Sequence, residues 1–383
     1  MDKDNFVTNI LILGKTGAGK STLVNYLYGR EIAVARAGRP VTEKGLHRHE
    51  PFAYNGMDIV IWDSWGLEPD KAREWWESLK EELARQSGQP HIRDWIHTVI
   101  YCYDAKKSRL DSYESEHILK PLIDMGYRVI FALTKWGLCS DTEKEAAMRV
   151  LDESYPGFSA IPVESVSQKL RGGRTTAPEG REDIFRGICL NLRKSLMYHL
   201  RCRARDEMQE AVSRAERAAL AYYDKHTGYI FTVYGEDLMN EIQKIARESY
   251  ENNIREVYDR LRNNITLIDS MCVAVIRGYT GIDVSEKLKG LHVIMSSIKD
   301  TRIAAWTGDW GEYFGDTLAT IFTAGIRFFT RKSSYREDLE KKLGEVSEKL
   351  TQDLRSFADT LDKEDIEVNE GIEEKLNAAS IRN

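Results

Sequence analysis

The stretch Ile10–Leu27 reads ILILGKTGAGKSTLVNYL and decides the fold of the first part of the chain. It opens with an apolar run of strand length and closes with Leu23, Val24 and Leu27 at helical spacing. Between them, Gly14–Ser21 match the phosphate-binding pattern G-x-x-x-x-G-K-S/T. Because a strand, a glycine loop and a helix follow in the required order, the sequence predicts a loop that binds phosphate groups. A glycine-rich turn that binds nothing is the disfavoured alternative.

The residue types in this loop suit a nucleotide and a hard cation. Glycines let the backbone wrap closely around an anion, and the start of the helix adds a partial positive charge. Lys20 is predicted to reach the outer phosphates, and the Ser21 hydroxyl to complete a Mg²⁺ shell. The nucleotide contacts expected in this loop are Gly14, Lys15, Thr16, Gly17, Ala18, Gly19, Lys20, Ser21 and Thr22.

Composition limits the remaining choices. At 383 residues, with 42% hydrophobic and 30% charged residues, the chain has the composition of a soluble globular protein and the length of two domains. Its formal net charge of −6 argues against nucleic acid as the partner. The 5 cysteines are scattered without C-x-x-C pairs, which is typical of reduced thiols in a cytoplasmic protein. No signal peptide and no apolar run of about 18 residues is found in the sequence.

The first half of the chain alternates strand and helix patterns. Strands are expected at 52–54, 57–62, 98–103, 127–133 and 160–163, and helices at 68–86, 110–125 and 143–154. The strand at 57–62 ends in Asp63-Ser64-Trp65-Gly66, an acidic residue followed by a glycine in the pattern D-x-x-G. This alternation predicts an α/β domain with a mostly parallel sheet, helices on both faces and ligands at the carboxyl ends of the strands.

With these motifs in place, residues 1–170 resemble the translation-factor-related P-loop GTPases, especially the Era-like group. The wording GKTGAGKST also looks like that of the immunity-associated GTPases. The resemblance implies Mg²⁺-dependent hydrolysis of GTP to GDP. It implies that Thr42 joins the Mg²⁺ shell beside Ser21 while the γ-phosphate is present, that Asp63 holds the metal through water, and that the Gly66 amide senses the γ-phosphate. Lys20, Thr42 and Gly66 are the implied catalytic groups.

The same resemblance places base recognition after the later strands. The family motif Asn/Thr-Lys-x-Asp falls on Thr134–Gly137, and the last nucleotide loop, with Ser165 and Val166, falls on Glu164-Ser165-Val166. Lys135 is expected to pack along the base and to bond with the phosphate loop. Gly137, however, stands where the family has an aspartate that accepts hydrogen bonds from guanine. Asp141 is a candidate substitute; guanine is favoured, and an ATP-specific enzyme stays the alternative.

A second departure concerns the attacking water. Leu67 follows D-x-x-G where many small GTPases have a glutamine that orients this water, so slow intrinsic hydrolysis is expected. Family members of this kind often dimerise across the nucleotide or recruit an activator, which predicts a homodimer or a nucleotide-dependent oligomer. Arg36 and Arg39 are candidates for stabilising the transition-state charge, although solvated loop arginines are the favoured reading. A nucleotide-bound scaffold in ribosome assembly or membrane association, with little turnover, also fits Leu67.

The second half of the chain is predicted to be helical. We expect a linker at 171–180 and an all-helical domain at 181–383 that transmits the nucleotide state. Its attachment behind a G domain resembles the dynamin-like and immunity-related GTPases. An apolar seam from Leu339 to Leu361 favours packing within the chain over an intermolecular coiled coil. The segment 308–329 suits either a buried hairpin, which is favoured, or a peripheral membrane contact; a protein partner of the helical domain is a further expectation.

Overall fold

The computed structural model describes residues 7–33, 46–55, 57–64, 72–89, 91–107, 110–169, 173, 175–226, 235–288 and 332–380. Several of the residues and segments discussed above lie outside these ranges: Arg36, Arg39, Thr42, Gly66, Leu67 and the segment 308–329. The expectations at those positions therefore stay predictions from the sequence.

A seven-stranded sheet forms the centre of the first part of the chain. Its strands are β1 (Val7–Gly14), β2 (Leu46–Arg48), β3 (Phe52–Tyr54), β4 (Met57–Ser64), β5 (Thr98–Asp104), β6 (Val129–Thr134) and β7 (Ser159–Pro162). The order is β2-β4-β1-β5-β6-β7, and β3 also pairs with β4. The pairs of β1 with β4 and β5, and of β6 with β5 and β7, are parallel, whereas β2 and β3 run antiparallel to β4. The mostly parallel sheet predicted from the sequence is confirmed.

The helices follow the strands as the alternation predicted. They are α1 (Lys20–Tyr28), α2 (Ala72–Ser87), α3 (Ser112–Glu114), α4 (Lys120–Asp124), α5 (Asp141–Ser154), α6 (Arg181–His226), α7 (Gly235–Thr280) and α8 (Lys332–Ser380). The single helix predicted at 110–125 is divided by a π-helical turn at Ser115–Leu119. Pro121 is the second residue after this turn and lacks the amide hydrogen that a regular α-helix would use there, which is consistent with a wider turn before it.

Both faces of the sheet are covered. Leu11, Val99, Tyr101 and Phe131 are buried in one cluster with residues of α2, α4 and α5. Helix α1 contacts β1 and β4. Its fully buried Leu23, Val24 and Leu27 lie outside that cluster, so α1 covers the other face. The apolar core therefore holds the carboxyl ends of β1, β4 and β5 next to one another.

The chain divides into two compact units. The first comprises Met1–His199, Ile268–Val284 and Lys375–Asn383, and the second Leu200–Leu267 and Ser285–Glu374. In the first unit, the start of α6 packs on the sheet domain: Phe185 stacks on Tyr54 with ring centroids 4.0 Å apart, and Arg181 donates to the Leu27 carbonyl oxygen. The boundaries expected at 170 and 180 stay a prediction. The compact units divide the chain at another place, within α6 between His199 and Leu200.

The second unit is helical throughout its described part. Along α7 its buried residues recur at helical spacing: Leu238, Ile242, Ala246, Tyr250, Ile254, Val257, Leu261 and Ile265. On α8 the expected seam residues Leu339, Leu343, Val346, Leu350 and Leu361 are also buried within the single chain. Arg201 joins α6 to α8 through Asp365 at 2.7 Å and Asp362 at 2.5 Å. Within the described ranges, no helix is both long and apolar enough to cross a membrane.

Two histidines of the first unit, buried His97 and partly buried His199, make its stability depend on pH. The His97 ring accepts a hydrogen bond from the Asn9 amide at 3.1 Å and lies 2.9 Å from the Ile92 carbonyl oxygen, so it fits as the neutral tautomer. Burial lowers the pKa of His97 to about 4. Burial, together with the charge of His97, lowers the pKa of His199 to about 4 as well. Protonation of either ring therefore opposes folding.

We expect the first unit to lose stability as the pH falls. In the unfolded chain these histidines bind a proton near pH 6.5, so their contribution is complete above that pH and declines toward pH 4. At pH 5 the loss is about 2 kcal/mol for each histidine. Urea unfolding of the wild type and of His199→Phe at pH 7 and pH 5 tests this, with exposed His117→Gln as the control. An unaltered pH dependence in His199→Phe would contradict it.

Candidate functional site

The phosphate loop connects the end of β1 to the start of α1 with the predicted conformation. Gly14, Gly17 and Gly19 have φ values of 143°, 79° and 92°, which side-chain-bearing residues rarely adopt. At Gly14 a Cβ atom would also lie 2.6 Å from the Cys102 carbonyl oxygen of β5. Glycine is therefore required there by both the backbone angle and the neighbouring strand.

Lys20 lies inside this loop. Its side chain is buried, and its ammonium donates to the carbonyl oxygens of Gly14 at 3.0 Å and Lys15 at 3.2 Å. Burial lowers the pKa of Lys20, although the negative charge of Asp63 acts in the opposite direction. The Thr16 hydroxyl in the same loop is buried and has no hydrogen-bond partner. A buried cation and a buried hydroxyl in a glycine loop are complementary to an anion with several oxygens.

The predicted metal-binding groups are oxygen donors on adjacent elements. Asp63 is 2% exposed at the carboxyl end of β4 and pairs in register with Ile12 of β1, while Ser21 is the second residue of α1. Hydroxyl and carboxylate oxygens suit Mg²⁺. Within the described ranges no three His, Cys, Asp or Glu side chains cluster as a metal site. The Ser21 hydroxyl and the Asp63 carboxylate fit a Mg²⁺ ion, and phosphate oxygens and water would complete its shell. Thr42, the third predicted ligand, lies outside those ranges.

Thr134 connects the loop after β6, here called the base loop (Thr134–Gly137), to the phosphate loop (Gly14–Ser21). Its hydroxyl donates to the Ala18 carbonyl oxygen at 2.7 Å and lies 3.2 Å from that of Tyr103. The expected bond from Lys135 to the phosphate loop is absent. Lys135 has a φ of 60°, and its ammonium bonds to Asp104 at 2.6 Å. The carboxylate of Asp104, at the end of β5, binds the Lys135 ammonium. Thr134, the residue before Lys135, makes the bond to the phosphate loop.

Asp141 does not replace the aspartate missing at Gly137. Asp141 is the first residue of α5, its side chain is 98% exposed, and its carboxylate lies 3.9 Å from the ammonium of Lys144. The Gly137 amide instead donates to Oε2 of Glu164 at 3.1 Å. The last nucleotide loop was expected at Glu164-Ser165-Val166, with Ser165 and Val166 as its nucleotide contacts and no role for the Glu164 side chain. The acidic residue type at position 164 is the sequence signal that indicates a carboxylate in this loop.

Lys15, expected among the nucleotide contacts, is bound by carboxylates of α3 and its cap. Its ammonium lies 2.7 Å from Glu114 and 3.0 Å from Asp111, and the Tyr101 hydroxyl donates to Glu114 at 2.6 Å. Burial lowers the pKa of Lys15, but the bonds to Glu114 and Asp111 outweigh it and raise the pKa. Lys15 therefore fixes the outer side of the phosphate loop to α3.

The sequence of this region matches a known family. Residues 9–135 match the family model described as 50S ribosome-binding GTPase. GTPase Der of Psychrobacter sp. (strain PRwf-1) is 26% identical over 166 residues, which cover 43% of this chain and 33% of that protein. GTPase Der of Leptothrix cholodnii is 24% identical over 256 residues, which cover 66% of this chain and 55% of that protein. The chain thus spans a third to about half of these relatives.

Among solved structures, Toc33 from Arabidopsis thaliana in a dimerisation-deficient form matches with a TM-score of 0.38 and 16% sequence identity. The match covers 49% of this chain and 84% of that chain.

Proposed function

We propose that this protein binds GTP with Mg²⁺ and hydrolyses its terminal phosphate. The observation that carries the proposal is the buried ammonium of Lys20 inside a glycine loop, with buried Asp63 on the strand beside it. The positive charge of Lys20 and the loop amides suit the phosphates of a nucleotide, and the carboxylate of Asp63 suits the metal that accompanies them. The relatives named GTPase Der support GTP over other triphosphates. The likeness to the Era-like and immunity-associated groups stays a prediction.

In this proposal catalysis is mainly positioning and charge neutralisation. Lys20 and the amides from Gly14 to Ser21 hold the β- and γ-phosphates, and Ser21 and Asp63 face the metal. A bound Mg²⁺ would neutralise charge that develops on the phosphate oxygens. Thr42 and the Gly66 amide, assigned from the sequence, contact the γ-phosphate and tighten around it. The protein therefore acts as a switch whose state depends on whether this group is attached.

The sequence has Leu67 at the position where many small GTPases have a glutamine that orients the attacking water. Leu67 can neither donate to nor accept from water, so we propose that a second copy of the chain or another partner positions the attacking water. The helical region would then report the nucleotide state, in the cytoplasm or at a membrane surface. An assembly of this kind increases turnover per molecule as the protein concentration rises.

We expect phosphate release per molecule to rise with protein concentration. A phosphate sensor should record a rate that increases faster than linearly between sub-micromolar and tens of micromolar protein, because dimer formation supplies the missing group. Light scattering with a non-hydrolysable GTP analogue should show a mass increase over the same range. Lys20→Ala provides the background rate of contaminating enzymes. Strictly linear turnover with an unchanged monomer mass would refute assembly-dependent hydrolysis.

Two other functions remain as candidates because specific residues favour them. An ATP-specific enzyme is favoured by Gly137, and identification of the nucleotide that copurifies with the protein separates the two bases. A nucleotide-bound scaffold is favoured by Leu67, and turnover close to the Lys20→Ala background at every concentration would select it. The same nucleotide identification tests the main proposal most directly, since copurified guanine nucleotide is its expected result.

A further inference from the structure

The space that an aspartate side chain at position 137 would occupy already contains other side chains. A Cβ atom built on Gly137 would lie 2.7 Å from Cγ2 of Thr176 and 3.0 Å from Oε2 of Glu164. An aspartate side chain therefore cannot occupy this position without moving both neighbours. Glycine at 137 is accordingly matched to Glu164, an acidic residue that enters the same volume from the segment after β7.

Glu164 is held rigidly where it enters this volume. Its backbone exchanges two hydrogen bonds with Glu179, at 3.2 Å and 2.9 Å, and its Oε2 accepts from the Gly137 amide at 3.1 Å. The Trp136 amide donates to the carbonyl oxygen of Val163, the preceding residue, at 3.3 Å. The Glu164 residue is 2% exposed. The carboxylate is thus fixed against the base loop by bonds on both sides.

The carboxylate has no balancing cation in the described part of the chain. No Lys or Arg side chain there lies within ion-pair distance of Glu164. Burial raises the pKa of Glu164, although the amides of Val166 and Gly137 oppose this. A buried carboxyl group without a cation is unfavourable unless donors complete its hydrogen bonds. Donors that arrive with a ligand would complete them.

We propose that Glu164 is the residue that reads the guanine base, in place of the aspartate absent at Gly137. This inference rests on the proposed function. The two oxygens of a carboxylate accept together from the N1–H and the exocyclic amine of guanine. Adenine presents one donor beside an acceptor nitrogen, which faces a carboxylate unfavourably. Thr134, three residues before Gly137, bonds to Ala18 of the phosphate loop, so the loop that carries Gly137 lies next to the phosphate loop.

Replacement of Glu164 by glutamine tests this assignment, because it exchanges one carboxylate oxygen for an NH₂ group. In Glu164→Gln the oxygen can still accept from the Gly137 amide, but the NH₂ group presents donors to the donors of guanine. We expect the affinity for GDP, measured by calorimetry, to fall by about 100-fold or more. The affinity for xanthosine diphosphate should rise, because its 2-oxo group accepts from the new amide. In the wild type, GDP should bind more tightly than inosine diphosphate, which lacks the exocyclic amine, and more tightly than ADP.

Glu179→Gln is the matched control, because Glu179 lies opposite Glu164 on the same short ladder and its side chain is exposed. It should retain the wild-type preference for GDP. If Glu164→Gln binds GDP as the wild type does and gains nothing for xanthosine diphosphate, the inference is wrong. A wild type that binds none of these diphosphates would instead overturn the proposed function.

A folding failure is recognised by circular dichroism, and Glu164→Asp then decides the question. The shorter side chain keeps its charge but withdraws the oxygens from the base. A more than tenfold loss of GDP affinity with unchanged ADP affinity supports the inference, and wild-type affinity for GDP refutes it.

Discussion

Replacement of Lys20 by alanine is expected to eliminate tight nucleotide binding. The Lys20 ammonium is the cation inside the phosphate loop and is already positioned by the Gly14 and Lys15 carbonyl oxygens. Without it, the loop offers amides but no full charge to a triphosphate. Loss of one partner from a buried charge pair costs about 3–5 kcal/mol, which corresponds to an affinity decrease on the order of 100- to 5000-fold. Calorimetric titration with GDP and with a non-hydrolysable GTP analogue measures it.

Lys15→Ala is the control for this substitution, since Lys15 lies in the same loop but its ammonium is bound by Glu114 and Asp111. Its nucleotide affinity should change much less than that of Lys20→Ala. The thermal stability of unliganded Lys20→Ala should be similar to that of the wild type, because a buried charge is removed. Tight binding by Lys20→Ala, or equal losses in the two variants, would disprove the assignment of the phosphate loop.

Replacement of Gly180 by alanine is expected to destabilise the protein severely. Gly180 directly precedes α6, has a φ of +89°, and its carbonyl oxygen accepts from the Ile184 amide at 3.0 Å. A Cβ atom there would lie 2.1 Å from the Pro162 carbonyl oxygen of β7 and 3.2 Å from the Val163 Cα. Both neighbours are backbone and cannot rotate away, so strand or helix must shift. We expect a loss of about 3–5 kcal/mol in the free energy of unfolding, measured by urea denaturation.

Gly157→Ala separates this clash from backbone strain. Gly157 has a φ of +81°, yet no atom lies within 4 Å of a Cβ atom built on it. It should lose only about 1 kcal/mol, the ordinary cost of a side chain at such an angle. Similar losses in the two variants would mean that the contact with Pro162 does not matter. Because Gly180 follows the Glu164–Glu179 ladder, its substitution should also weaken GDP binding wherever the variant stays folded.

The sequence predicted those features that depend on neighbouring residues. The phosphate loop and the strand at 98–103 depend on short patterns of apolar residues and glycines. The position of Asp63 beside the loop followed from the rule that ligands bind at the carboxyl ends of parallel strands. The two long helices Arg181–His226 and Gly235–Thr280 lie in the region 181–383, which was expected to be helical.

The details that the sequence did not provide depend on residues far apart in the chain. Thr134 bonds to Ala18, which lies 116 residues earlier, and Glu164 reaches Gly137 across 27 residues. A local sequence pattern does not indicate which of two adjacent polar residues contacts a distant loop. The same holds for Lys15, whose partners lie on α3. The compact units also divide α6 at a point where the sequence shows no break.

The bond between the Thr134 hydroxyl and the Ala18 carbonyl oxygen has a consequence for affinity. Because 3%-exposed Thr134 also lies 3.2 Å from the Tyr103 carbonyl oxygen, the bond is shielded from water and its donor is held in place. The loop after β6 and the phosphate loop are therefore joined in the unliganded chain, so part of their conformational entropy is lost during folding and not during the proposed association with nucleotide. A preorganised cleft of this kind retains more of its contact energy as net binding free energy.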